Sequence, residues 1–255
     1  MITLEIEALI GLATGLIVGI TGASGVLLVV PALTIFLGYP MHTAVGTSLF
    51  VDIITPLFVA ITYYRHGNVN LKTAFWLALG AILGAQGGAL IANLAVPNEL
   101  MGKGFVVFLF LMAISMWLKN KRPARDNSNV KLAAMNAKNR LITFGIGLAL
   151  GIISGLFGAG GGLMFLLVLL VVLKYPLRMA VGTSSLIMAM TAASGTLGYG
   201  LQGNVDYATG IIISIAAVLS GMLSARLANR VPDVILNRIA GSVFAVLGIV
   251  MMILK

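Results

Sequence analysis

The chain has 255 residues, 60% of them hydrophobic and only 9% charged, with a formal net charge of +9. Soluble domains carry about a quarter charged residues, so this balance excludes an ordinary soluble fold and indicates an integral membrane protein. Long apolar runs favour membrane helices over a β-barrel, whose strands would alternate. Seven of the sixteen Lys and Arg fall between Lys119 and Arg140, which reads as a positive-inside loop rather than a nucleic-acid surface. Without cysteine there are no disulfides or thiolate metal sites, and no metal or cofactor is expected. Met1–Glu7 carries no positive n-region, so the first segment is counted as mature protein.

In chain order, the apolar segments of the first half are roughly 8–21, 26–37, 43–64, 71–96 and 99–118. A polar linker follows, and the second half repeats the plan at roughly 141–157, 163–173, 179–200, 207–230 and 233–254. Breaks fall at Gly, Pro, Asn and charge clusters. The last three segments of each half are long enough to cross about 30 Å of hydrocarbon. Residues 26–37 would rise only about 18 Å as a helix, which suits a re-entrant or partial span.

The two halves are one design. A shift of 136 residues aligns Gly11–Leu49 with Gly147–Ser185 without a gap, and nineteen of the thirty-nine positions are identical. It also pairs Tyr63 with Tyr199 and Gly67-Asn68-Val69 with Gly203-Asn204-Val205. The expected architecture is an all-α polytopic membrane protein of two repeats, 1–118 and 141–255, joined by a basic cytoplasmic linker, 119–140. If each half crosses four times, the repeats are parallel and the protein has eight spans. That places ten Lys and Arg inside and six outside. Odd-numbered halves give fourteen inside and two outside, so the positive-inside rule favours inverted repeats with both termini outside. Inverted repeats are a common plan of secondary transporters, with the site near the midplane.

Candidate site residues cluster at the repeated breaks. Gly22-Ala23-Ser24-Gly25 and Ala44-Val45-Gly46-Thr47-Ser48 return as Gly158-Ala159-Gly160-Gly161-Gly162 and Ala180-Val181-Gly182-Thr183-Ser184-Ser185. A break inside a membrane leaves N–H groups that must meet protein, water or substrate. Helix ends there, at Val26 and near Thr47, bring partial positive charge and free donors. With the Ser and Thr hydroxyls they can bind an oxyanion without a buried Arg or Lys. The stripes Gly11-x-x-x-Gly15-x-x-x-Gly19, Gly147-x-x-x-Gly151-x-x-x-Gly155 and Gly80-x-x-x-Gly84 are instead expected to pack helices closely. Asp52 is the only acidic residue between Glu7 and Glu99, and it lies mid-segment. An intramembrane carboxylate points to function, here proton coupling. The bland alternative is a neutral carboxyl bonded to Thr55 or to a helix backbone. Its repeat partner is Met188. Gln86, Asn93 and Asn229 are expected to bond between helices.

Gly19-x-x-Gly22-Ala23-Ser24-Gly25 with Pro31, followed by Ala44-Val45-Gly46-Thr47-Ser48-Leu49, resembles the TauE/SafE family of sulfite and organosulfonate exporters, also called YfcA-like proteins. The second copy, Gly155-x-x-Gly158-Ala159-Gly160-Gly161-Gly162 with Ala180–Ser184, is the more typical one. The first copy departs from the family pattern at Ser24 and Val26, and the second has Leu167 opposite Pro31. The resemblance covers nearly the whole chain and implies export of a small sulfur-containing anion across a bacterial plasma membrane. A passive anion channel is the alternative. An enzyme is not expected, because no nucleophile, base and metal ligands converge. The expected partners are a small anionic substrate, the lipid bilayer and, at most, a second copy of the chain.

Overall fold

The computed structural model describes residues 2–21, 24–119, 137–158, 161–173, 175–228 and 233–254. Every regular element among them is helical. The first half holds α1 (Ile2–Thr21), α2 (Val26–Phe36), α3 (Met41–Arg65), α4 (Leu71–Ala95) and α5 (Asn98–Lys119). The second holds α6 (Ala137–Phe157), α7 (Gly162–Leu167, continued by a π-helical turn over Val168–Val172), α8 (Leu177–Gly200), α9 (Tyr207–Ala228) and α10 (Asp233–Leu254). The five segments expected in each half are therefore present. Helix α1 starts six residues earlier than the apolar run suggests. Glu7 is buried within it and accepts a hydrogen bond from Thr209 at 2.9 Å. Most of the linker lies outside the described residues. Among the described residues, five helices are long and apolar enough to cross a membrane, within Met41–Arg65, Leu71–Ala95, Arg140–Phe157, Met179–Gly200 and Tyr207–Ser224.

The halves interlock. Helix α1 packs along α9, and α6 packs along α4. Helices α3 and α8 form a central pair, with α5 against α10 at one side. The glycine stripes set the two outer contacts. A Cβ on Gly80, Gly84 or Gly88 would overlap the backbone of α6 at Phe144, Leu148 and Ile152. Gly147, Gly151 and Gly155 meet Leu77, Ala81 and Ala85 in the same way, and Gly11 and Gly15 meet Ile213 and Ala217. Both sets of contacts advance together along the two helices, so α4 and α6 run parallel, as do α1 and α9. Such backbone approach lets dispersion and polar contacts hold helices together in lipid, where no hydrophobic drive does so.

The central pair runs the other way. Thr47, near the start of α3, accepts a hydrogen bond at 2.9 Å from the N–H of Asp206, just beyond α8. Thr183, near the start of α8, accepts one at 3.0 Å from the N–H of Asn70, just beyond α3. Both bonds exist only if α3 and α8 are antiparallel. Gly46 and Gly182 make room for them, because a Cβ at either would overlap the carbonyl of Asn204 or Asn68. Asn70 and Asp206 then cap α4 and α9, accepting from Thr73 N–H at 3.1 Å and from Ala208 N–H at 3.0 Å. The recurrence of Gly-Thr-Ser and Gly-Asn-Val at one spacing thus has a physical reason: each grips the other across the repeat.

Helices α1 and α2 form a hairpin. Glu7 near its start, Tyr39 after its end, and the α8–α9 turn meet at one end of the bundle. There Tyr39 donates to Asp206 at 2.8 Å and lies 3.0 Å from the Thr209 hydroxyl. Ser24 and Gly25, at the entry to α2, lie beside Asp52, halfway along α3. Tyr175 and Thr73 make the corresponding hydroxyl contact in the second half. Asp206, outside the long apolar helices, is pushed up by partial burial. Hydrogen bonds from Tyr39, Thr209 and Ala208 outweigh this and hold its carboxyl below the usual range.

Candidate functional site

Asp52 is 1% exposed, and no lysine or arginine among the described residues is bonded to it. Its carboxylate accepts the Ser24 hydroxyl on one oxygen and the Gly25 N–H, at 3.0 Å, on the other. The Val26 N–H in turn reaches Ser24 Oγ at 3.3 Å. The carboxylate thus sits on the unpaired N–H groups at the start of α2, where a helix end favours negative charge. The Thr55 hydroxyl, the expected alternative partner, has no hydrogen bond. Pro56 has no N–H to offer the Asp52 carbonyl four residues earlier, so the backbone at this depth is also short of a donor. Gly25 is required by space: a Cβ would lie 2.6 Å from the Thr14 methyl and 3.0 Å from Asp52.

The second break comes to the same place. Gly161 has φ +68°, a left-handed conformation that glycine adopts without strain. A Cβ on Gly162 would overlap the Met188 sulfur and lie 3.4 Å from Ser24 N. Met188 therefore stands against the start of α7 where Asp52 stands against the start of α2. Between the breaks lies a small cavity lined by Ser24, Leu27, Phe108, Met112, Gly161, Gly162 and Met164, with room for about one water. Its lining is almost wholly apolar, with Ser24 and the two glycines contributing beside the large side chains. Pro31 lacks the N–H that would bond the Leu27 carbonyl on the cavity wall. Opposite Pro31 in the second half, the helix widens into its π turn instead.

Of the residues singled out from sequence, Ser24, Gly25, Asp52, Gly161 and Gly162 are brought together. Gly22, Ala23 and Gly160 lie outside the described residues. Gly158, with φ +64°, abuts Val45 of α3. Thr47 and Thr183 accept the cross-repeat N–H groups at the two ends of the central pair. Ser48 donates to the Val45 carbonyl at 2.8 Å, and Ser184 and Ser185 donate to the Val181 carbonyl at 3.0 and 2.8 Å. None of these five lines the cavity. Asn93 does bond between elements, accepting from Asn204 at 2.7 Å, whereas Gln86 Oε1 has no partner; Asn229 lies outside the described residues. Phe108 and Met112 carried no sequence signal, being two apolar residues in an apolar helix. Tyr199 was visible only as half of a repeat pair. It is fully buried and donates to the last carbonyls of α6, Gly155 at 3.1 Å and Leu156 at 3.2 Å, just before the second break.

The model of the family described as "Sulfite exporter TauE/SafE" matches residues 7–251. The chain is similar to the probable membrane transporter protein YdhB of Bacillus subtilis, with 30% identity over 88% of this chain and 89% of that one. It is similar to the probable membrane transporter protein YjnA of the same organism at 29%, covering 94% and 96% of the two chains. It also resembles the probable membrane transporter protein MJ0441 of Methanocaldococcus jannaschii at 26%, covering 99% and 97%. No solved structure matches. With its helix breaks paired inside a bundle of apolar helices, this multi-pass membrane transporter belongs to the sulfite exporter TauE/SafE family.

Proposed function

We propose that the protein is a secondary transporter that exports a small sulfur-containing oxyanion, sulfite or an organosulfonate, across a bacterial plasma membrane, with Asp52 taking up and releasing a proton. The observation that carries this reading is the meeting of both breaks, Ser24–Gly25 and Gly161–Gly162, around one small, largely apolar cavity, with the buried Asp52 bonded to Ser24 at its edge. Hydroxyl and backbone N–H donors suit a sulfur oxyanion, and among the described residues no lysine or arginine lines the cavity, which keeps binding weak enough for release. Gly22, Ala23, Gly158 and Gly160 complete the two breaks in this reading. Thr47, Ser48, Thr183, Ser184 and Ser185 hold the helices that support them. An anion is larger than one water, so loading requires the breaks to part from Phe108 and Met112 of α5.

The arrangement we propose is two inverted repeats, with the linker cytoplasmic, both termini outside, and α1–α2 and α6–α7 re-entrant. The antiparallel central pair supports it, as does the count of fourteen Lys and Arg inside against two outside. The test is purified protein in liposomes, assayed for sulfite, sulfoacetate, thiosulfate and sulfate flux under imposed pH gradients. Flux of at least one of them, accelerated by the gradient, is expected; no flux of any would overturn the reading.

A further inference from the structure

Ser24 touches both the carboxylate and the cavity. Its oxygen has one proton to give and two lone pairs to offer. In the structure the proton goes to Asp52 and one lone pair takes the Val26 N–H. With Asp52 ionised, Ser24 therefore offers the cavity only a lone pair, which repels an anion. A protonated Asp52 reverses the bond: its O–H donates to Ser24 Oγ, which still accepts from Val26. The Ser24 proton is then free for a new acceptor, and Ser24 lines the cavity beside Gly161 and Gly162. Gly25 N–H stays on the other carboxyl oxygen in both states.

We propose that Ser24 is the relay between proton and anion: it donates to the Asp52 carboxylate when the cavity is empty, and to the bound anion when Asp52 is protonated. This rests on the reading that the cavity receives an anion. It adds the sign of the coupling: proton and anion occupy the protein together and move the same way, so export runs down the anion's own gradient and takes a proton out with it. The proton comes from solvent, and no covalent bond changes. Around Asp52 the facing groups are Ser24, Gly25 and, across Gly25, Thr14 of α1. No charged side chain from α1, α2, α5, α8 or α9 acts on it among the described residues. Met188, its counterpart in the second half, cannot titrate, so the relay is single.

Methanesulfonate is the probe, because it stays a monoanion at any working pH. Calorimetric titration in buffers of different ionisation heat counts the protons taken up. Wild type is expected to take up close to one proton per anion and to bind more tightly as pH falls. Ser24→Ala loses a donor to the anion, so its affinity falls about ten- to hundredfold and its proton uptake disappears. Ser24→Thr keeps both. Binding by wild type with no proton uptake overturns the relay and leaves the anion site standing. No binding at any pH overturns both. Infrared spectra of the anion-free protein test the relay independently. A carboxyl that donates its O–H absorbs at lower frequency than a free one, so Ser24→Ala should raise the protonated Asp52 carbonyl band. An unmoved band overturns the relay whatever the calorimetry shows.

Discussion

Replacing Thr47 or Thr183 with valine removes an oxygen and keeps the shape. Each oxygen accepts a backbone N–H from the opposite repeat, Asp206 at 2.9 Å and Asn70 at 3.0 Å, and both threonines are fully buried. Valine therefore strands an N–H. Hydrogen bonds inside membrane proteins average about 0.6 kcal/mol, but an orphaned buried donor costs about 1–3 kcal/mol. We expect each substitution to cost about 1–2 kcal/mol. The two sites lie at opposite ends of the α3–α8 pair, so the double variant should cost about 2–4 kcal/mol, close to the sum. Denaturant or thermal unfolding in detergent measures this, with transport measured on the same preparations. Serine at either position keeps the acceptor and should restore most of the stability. A double valine variant of unchanged stability that had lost transport would refute this assignment and move the hydroxyls to the substrate.

Asp52→Asn should leave anion flux independent of an imposed pH gradient, whereas wild-type flux should follow it; a variant that still responds would remove Asp52 from proton coupling. Gly84→Val should prevent α4 and α6 from touching, since even a Cβ would overlap the Leu148 carbonyl. We expect aggregation on size exclusion, or a loss of more than about 2 kcal/mol; a monodisperse protein of normal stability would contradict the close approach. Single cysteines at residues 2 and 255 should label from outside intact cells. Labelling of residue 2 from the cytoplasm alone would overturn the proposed orientation.

The helices were legible because their signal is local. Apolar runs, and the Gly, Pro and Asn that end them, placed α2, α4 and α10 within a residue of where they lie. The starts of α1 and α6 were placed six and four residues late; at α1 this is because Glu5 and Glu7 look like the edge of a membrane segment. A carboxylate can continue a helix when a partner such as Thr209 receives it, and that partner stands 202 residues away. The site was half legible. Asp52, Ser24 and the glycines stood out by composition, but Thr47 and Ser24 carry the same kind of hydroxyl. Which of them lines a cavity and which ties two repeats together depends on what faces it.

By itself the sequence determined a helical membrane protein, a duplicated half at an offset of 136, and glycine stripes that let helices meet backbone to backbone. These follow from hydrophobicity, backbone satisfaction and periodicity, each readable within a single segment or by comparing the halves. The charge count already favoured opposite orientations for α3 and α8; only the tertiary structure decided that they grip each other through Thr47 and Thr183, that α1 and α2 fold back beside Asp52, and that the two breaks share one cavity. The partners in those contacts are far apart in the chain: 28 residues from Ser24 to Asp52, 159 from Thr47 to Asp206. Pairing at such distances is chosen by the packing of whole helices, which no local pattern encodes.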